Sequence, residues 1–97
     1  MRELEEVKAV LSRHRDVLRD RFHVKEIAVF GSLVRDERRK TSDVDLLVGF
    51  EEPPSLFEFM DLEEYLSQLL GMEVDLVTRD ALKPRIGERI LKEAVFI

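Results

Sequence analysis

The sequence has no cysteine, and only three prolines and four glycines, among its 97 residues. Without cysteine the chain can form neither a disulfide framework nor a thiolate metal site. No apolar run approaches the roughly 18 residues that a membrane-spanning helix needs, and no pair of charged and apolar leader regions opens the chain. We therefore expect a cytoplasmic protein that does not enter a membrane.

An excess of positive charge is also missing. The chain has 16 Lys and Arg against 21 Asp and Glu, a net charge of −5, whereas general nucleic-acid binders have the opposite balance. No direct contact with nucleic acid is therefore expected. The length is that of one domain, and 44% hydrophobic residues suffice for one core. We expect a single domain over residues 1–97.

The hydrophobic spacing predicts helices and strands that alternate along the chain. Ser55 and Glu58 form a predicted capping box at the start of one helix, and Gly71 is the residue expected after its end. The order is α-β-α-β-α-β-α, which indicates an α+β fold with a three-stranded sheet flanked by helices. The predicted helices cover 2–21, a short turn at 32–36, a segment after Ser55 and a segment after Pro84; the predicted strands cover 24–30, 43–50 and 72–78.

Two aspartates interrupt the second predicted strand. Asp43 and Asp45 share one face because side chains alternate along a strand. A lone D-x-D is more commonly a solvated strand edge. Asp75 lies in the next strand in an equally apolar context, and it joins the pair if the two strands are neighbours. Three carboxylates without His or Cys favour a hard cation, Mg²⁺ or Mn²⁺.

The first strand ends in Gly31-Ser32, where a helical turn is predicted. Glycine permits close approach of the backbone to a ligand, and N–H groups at a helix start attract phosphate oxygens. Gly-Ser alone is a common turn. Beside a carboxylate cluster it indicates a seat for a triphosphate.

These residues resemble a known family. "GSLVRDERRKTSDVDLLV" is similar to the signature of the polymerase-beta-like nucleotidyltransferases, and with "MEVDLVT" it resembles their minimal branch, the MNT or MntA-type antitoxins. The resemblance implies a three-stranded mixed sheet, and ATP as the substrate. It implies two Mg²⁺ ions held by Asp43 and Asp45, and it implies that Asp75 completes the metal site and helps to deprotonate the attacking hydroxyl. The residues implied to contact the phosphates are Gly31, Ser32 and Arg35.

The resemblance also implies a partner. In this family an antitoxin of a type VII toxin-antitoxin pair transfers AMP from ATP to a tyrosine of a HEPN-domain RNase toxin. Two alternatives remain open: a non-catalytic antitoxin that masks its partner, and nucleotidyl transfer to a small-molecule acceptor. The sequence leaves open the identity of the acceptor and the oligomeric state.

Other residues keep two interpretations. Tyr65, the only tyrosine, is expected to pack in the core or in a groove, with self-modification as the alternative. Lys83 and Arg85 follow the Asp75 strand and are either solvated or in contact with the nucleotide or partner. The basic residues Arg38, Arg39 and Lys40 are either a solvated loop or a flap that contacts phosphate or partner.

Overall fold

The structure is a computed structural model, which describes residues 3–35 and 44–97. Asp43, together with Arg38, Arg39 and Lys40, lies outside the described residues. The described helices are α1 (Glu3–Arg13), α2 (Arg15–Phe22), α3 (Leu56–Leu70) and α4 (Pro84–Glu93), with 3₁₀ turns at Gly31–Leu33 and Arg79–Ala81; the strands are β1 (Val24–Phe30), β2 (Val44–Phe50), β3 (Val74–Thr78) and β4 (Val95–Phe96).

The four strands form one mixed sheet in the order β3-β2-β1-β4. Strand β2 is antiparallel to β1 and parallel to β3, and β4 is antiparallel to β1. The α+β class and the mixed sheet are confirmed, but the predicted count of three strands is wrong. Strand β4 has two residues, too few for an alternating pattern, and it forms only because β1 supplies the hydrogen-bonding partner.

The prediction of one continuous helix over 2–21 is also wrong. The helix is interrupted at His14, whose Nδ1 lies 2.8 Å from the carbonyl oxygen of Val10. The His14 N–H donates to Leu11 instead, at 3.1 Å. Leu11 and Leu18 on either side of the interruption are both buried. Neither Gly nor Pro marks the bend, so the hydrophobic period runs through it unchanged.

The sheet is covered on both faces. Helices α1, α2 and α3 cover one face over a core that includes Val29, Leu46 and Leu66. Helix α4 covers part of the other face, where Phe30 and Leu47 are buried. Tyr65 packs on Phe22 with ring centroids 5.2 Å apart, which confirms the packing interpretation of Tyr65.

Local signals define α3 well. Ser55 and Glu58 form the predicted capping box, with Ser55 Oγ 3.1 Å from the Glu58 nitrogen and Glu58 Oε1 2.9 Å from the Ser55 nitrogen. Gly71 follows the helix with a φ of 67°, the left-handed conformation expected there. Among the described helices, none combines the length and apolar character needed to cross a membrane.

Candidate functional site

Strand directions bring three chain segments to one edge of the sheet. Because β1 and β2 are antiparallel, the end of β1 lies beside the start of β2, and Phe30 pairs with Asp45. Because β2 and β3 are parallel, the start of β3 lies at the same edge, and Asp45 pairs with Asp75. The condition that the sequence left open, that β2 and β3 are neighbours, is therefore met.

Asp45 and Asp75 lie on one face of the sheet. Paired residues of neighbouring parallel strands point to the same side, with backbones about 4.8 Å apart. This is the face of Leu47 and Val77, which α4 covers further along the strands. Asp45 is half-buried and Asp75 is exposed. Asp75 is thus open to solvent, whereas Asp45 is partly covered.

Gly31 begins the turn that we call the Gly31 turn, residues Gly31–Leu33. Its φ is +80°, and a Cβ added to it would overlap the Asp45 carboxylate, with Asp45 Cγ only 2.9 Å away. Glycine is therefore required twice, for the backbone conformation and for the approach of the carboxylate. Ser32, next in the turn, is only 5% exposed. The turn and Asp45 form one packed unit.

Glu93 is a site residue that the sequence analysis missed. It ends α4, and its carboxylate accepts a hydrogen bond from the Gly31 nitrogen, 2.7 Å from Oε2. Arg35 Nη1 donates to the same carboxylate at 2.9 Å and 3.0 Å. Sequence alone offered only a weak signal, a carboxylate at a helix C-terminus, where the helix dipole disfavours negative charge.

The sheet register explains how Glu93 reaches the Gly31 turn. Val95 pairs with Val29 in the antiparallel β4–β1 ladder. Counting two residues outward on each strand places Glu93 opposite Gly31. Partial burial raises the pKa of the Glu93 carboxyl, but the hydrogen bonds from Gly31 and Arg35, with the charges of Arg35 and Arg89, outweigh it and hold that pKa below its ordinary value.

The predicted phosphate contacts are thus at one edge with the carboxylates. Gly31 lies next to Asp45, Ser32 follows Gly31 in the turn, and Arg35 forms an ion pair with Glu93. Lys83 and Arg85 are exposed at the start of α4, and within residues 3–35 and 44–97 no side-chain hydrogen bond or ion pair connects them to this edge.

The donor set fits a hard cation. Asp45 and Asp75 supply carboxylate oxygens on one face, the ligand type that Mg²⁺ prefers. Within residues 3–35 and 44–97 no group of three or more His, Asp or Glu side chains converges as a metal site. The third predicted ligand, Asp43, precedes the start of β2 and lies outside those residues.

Comparison with known proteins identifies the class. A family model described as a nucleotidyltransferase domain matches residues 11–97. The chain therefore belongs to the nucleotidyltransferase domain family. Strands β1 to β3, the Gly31 turn, Asp45 and Asp75 all lie within the matched residues.

Relatives narrow the class to one branch. The protein adenylyltransferase MntA of Thermococcus cleftensis is 53% identical over 94 residues, which cover 97% of this chain and 95% of that protein. A Methanocaldococcus jannaschii protein assigned provisionally as a protein adenylyltransferase is 41% identical over 98 residues and the full length of both chains. The chain is thus an MntA-type minimal nucleotidyltransferase.

Solved structures share the fold. A structure assigned provisionally as a minimal nucleotidyltransferase is 41% identical, with a TM-score of 0.73 and coverage of 94% of this chain and 88% of that one. An MNT antitoxin in complex with a tri-AMPylated HEPN toxin of Shewanella oneidensis is 19% identical, with a TM-score of 0.68 and coverage of 93% and 70%. At that identity the likeness concerns the fold alone.

Proposed function

We propose that this nucleotidyltransferase transfers AMP from ATP to a tyrosine hydroxyl of a HEPN-domain toxin, and so acts as an antitoxin. The observation that supports this most directly is the row of Asp45 and Asp75 beside the Gly31 turn. It joins carboxylates that suit Mg²⁺ to a turn that suits phosphate. The relative at 53% identity bears the name of a protein adenylyltransferase, and an MNT antitoxin of similar fold is in complex with an AMPylated HEPN toxin.

In this proposal the aspartates hold the metal and the turn holds the nucleotide. Asp45 and Asp75, with Asp43, are the residues that would hold two Mg²⁺ ions. Bound metal would neutralise phosphate charge and lower the pKa of the attacking hydroxyl. Gly31, Ser32 and Arg35 would contact the β- and γ-phosphates and keep them in line for departure.

The reaction is a substitution at the α-phosphorus. The acceptor oxygen forms a bond to this phosphorus, and the bond from the phosphorus to the bridging oxygen of the β-phosphate breaks. Pyrophosphate leaves with the electron pair of the broken bond, and Asp75 helps to accept the proton of the acceptor hydroxyl. Asp75 suits this role because it is the exposed member of the pair, and a hydroxyl on a second protein can approach it.

The proposal is tested by mass spectrometry of the acceptor. A purified HEPN-domain toxin is incubated with this protein, ATP and Mg²⁺, and each added AMP is located by peptide mapping. We expect AMP on tyrosine and the loss of the toxin's RNase activity. Inhibition of the RNase without added AMP would favour the alternative that the protein only masks its partner. Transfer of AMP to an aminoglycoside or another small molecule, in place of the toxin, would favour the small-molecule alternative.

A matched pair of variants connects the activity to the site. Asp75→Asn removes a charge from the proposed metal site and should lower the transfer rate by about 100-fold or more, within the range for loss of a group that stabilises the transition state. Asp61→Asn removes the same charge from an exposed position of α3 and should leave the rate unchanged. Equal rates in the two variants would contradict the role of Asp75.

A further inference from the structure

We propose that Glu93 is a positioning residue for the nucleotide's phosphates and that it acts through Arg35. The inference rests on the proposed function, because the proposed function assigns Arg35 a contact with phosphate. It adds a residue from the far end of the chain to a site that is otherwise built from β1, β2, β3 and the Gly31 turn.

The Glu93 carboxylate holds two parts of the site together. One carboxylate accepts both the Gly31 N–H and the Arg35 guanidinium, at donor–acceptor distances of 2.7–3.0 Å. Charge-assisted hydrogen bonds of this length are stronger than neutral ones and restrict direction as well as distance. Gly31 begins the Gly31 turn, and Arg35 lies two residues beyond its last residue, Leu33. Glu93 therefore fixes the position of Arg35 relative to the start of the turn.

The backbone that bears Glu93 is itself anchored. The Ala94 nitrogen donates to the carbonyl of Ile90 at 2.8 Å, which closes the last turn of α4. One residue later Val95 enters the sheet opposite Val29. The carboxylate is thus attached between a helix end and a strand start, and the residues on its C-terminal side are hydrogen-bonded in the helix end and paired in the sheet. Such a residue provides a fixed reference for the longer and more exposed Arg35 side chain.

The exposure of the two side chains indicates that Glu93 orders Arg35, and not the reverse. The Glu93 side chain is 26% exposed and that of Arg35 is 43% exposed. A half-exposed arginine side chain loses conformational entropy when a ligand orders it, and this loss weakens binding. Holding it beforehand lowers that cost and strengthens phosphate binding.

If Glu93 competes with phosphate, its removal should change nucleotide affinity in the opposite direction. A carboxylate beside Gly31 and Arg35 could compete with phosphate for the same donors, and its removal would then tighten nucleotide binding. The positioning role predicts weaker binding after removal. The sign of the change in affinity therefore separates the two roles.

The experiment is a double-mutant cycle on ATP affinity, measured by calorimetric titration of the full chain with ATP in the presence of Mg²⁺. The variants are Glu93→Ala, Arg35→Ala and the double variant. We expect Glu93→Ala to raise Kd about tenfold or more in the wild-type background, and less than about threefold once Arg35 is absent, because residues that act together are not additive. Glu88→Ala, at an exposed position of the same helix, should bind as the wild type does.

Each other result overturns the inference. Tighter ATP binding by Glu93→Ala would establish competition, and an equal loss in both backgrounds would reveal a general effect on the fold. If Glu93→Ala fails to fold, Glu93→Gln replaces it, since the amide oxygen still accepts the Gly31 N–H while the charge that holds Arg35 is lost. Wild-type protein that does not bind ATP would overturn both this inference and the proposed function. If the wild type binds ATP and the variants bind it with the same Kd, this inference alone is overturned.

Discussion

Gly31 shows how one residue limits the geometry of the site. Its positive φ allows the chain to leave β1 and turn at once, and its missing Cβ admits the carboxylate of Asp45. Gly71 also has a positive φ, but an added Cβ there would meet nothing within 4 Å. The two glycines therefore separate the cost of backbone strain from the cost of steric overlap.

The corresponding prediction compares Gly31→Ala with Gly71→Ala. Gly71→Ala should lower the free energy of unfolding by about 1 kcal/mol, the cost of a left-handed alanine. Gly31→Ala should lower it by about 2–4 kcal/mol, because overlap with Asp45 is added to the backbone strain. Urea denaturation measures both, and ATP titration should detect a loss of affinity in Gly31→Ala only. Equal destabilisation would show that Asp45 moves aside without cost.

At the scale of elements, α3 is defined by its own sequence. Its cap and its C-terminal glycine are local signals, and its inner face follows a helical period. Leu66 on that face is fully buried, whereas Phe57 on the outer face is 78% exposed. Both residues are large and apolar, so their burial alone distinguishes them.

We expect Leu66→Ala to destabilise the protein by about 2–5 kcal/mol, the range for a buried leucine whose removal leaves a cavity. Phe57→Ala should change the free energy of unfolding by less than about 0.5 kcal/mol, because it removes little buried surface. Thermal and urea denaturation measure the difference. A large loss in Phe57→Ala would mean that its ring is covered in solution, by another molecule or a second copy.

The junction of α4 with β4 depends on pH through Glu93. Its pKa is lowered in the folded state, so its contribution to stability is complete above its ordinary value of 4.5 and is lost as the pH falls through the folded value. The stability difference between the wild type and Glu93→Gln should therefore be largest near pH 7 and shrink toward about pH 3. Urea denaturation across this range measures it. A difference that stays constant with pH would assign the effect to packing instead of charge.

At the scale of the whole molecule, the sheet has the larger core on one face and the candidate site on the other. The face under α1, α2 and α3 contains the larger core, with Leu46, Leu62 and Leu66 inaccessible to solvent. The other face has a smaller core beneath α4, and Asp45 and Asp75 lie on this face. The larger core and the proposed chemistry thus lie on opposite faces of the sheet, so the larger core can hold the strands in register while the carboxylates of the candidate site repel one another.

Ligand binding to this site should stabilise the entire fold. ATP with Mg²⁺ at about 100 times its Kd should add about 2.7 kcal/mol, which raises Tm by roughly 10 °C or more in a domain of this size. The shift follows from mass action on the folded state, and differential scanning fluorimetry measures it. ATP with a chelator should give a much smaller shift, and an equal shift with and without metal would contradict the proposed metal site.

The sequence alone determined the features that depend on near neighbours in the chain. The period-2 pattern of residues 44–50 located β2 and placed Asp45 on the face opposite Leu46, and the Ser55–Glu58 box located the start of α3. The spacing of Gly31, Ser32, Arg35 and the aspartates was sufficient to recognise the nucleotidyltransferase family. Each of these signals lies within a few residues of the structure that it predicts, so no knowledge of the fold was needed.

Only the tertiary structure decided which distant segments meet. Strand pairing placed Asp75 beside Asp45 and added β4, whose two residues have no pattern of their own. It also brought Glu93 to Gly31 across 62 positions of sequence. The interruption of the first helix at His14 was likewise not evident from the sequence, because the hydrophobic period runs through it. Hydrophobic periodicity reports which side of an element is buried, but the register between elements depends on contacts that no local pattern encodes.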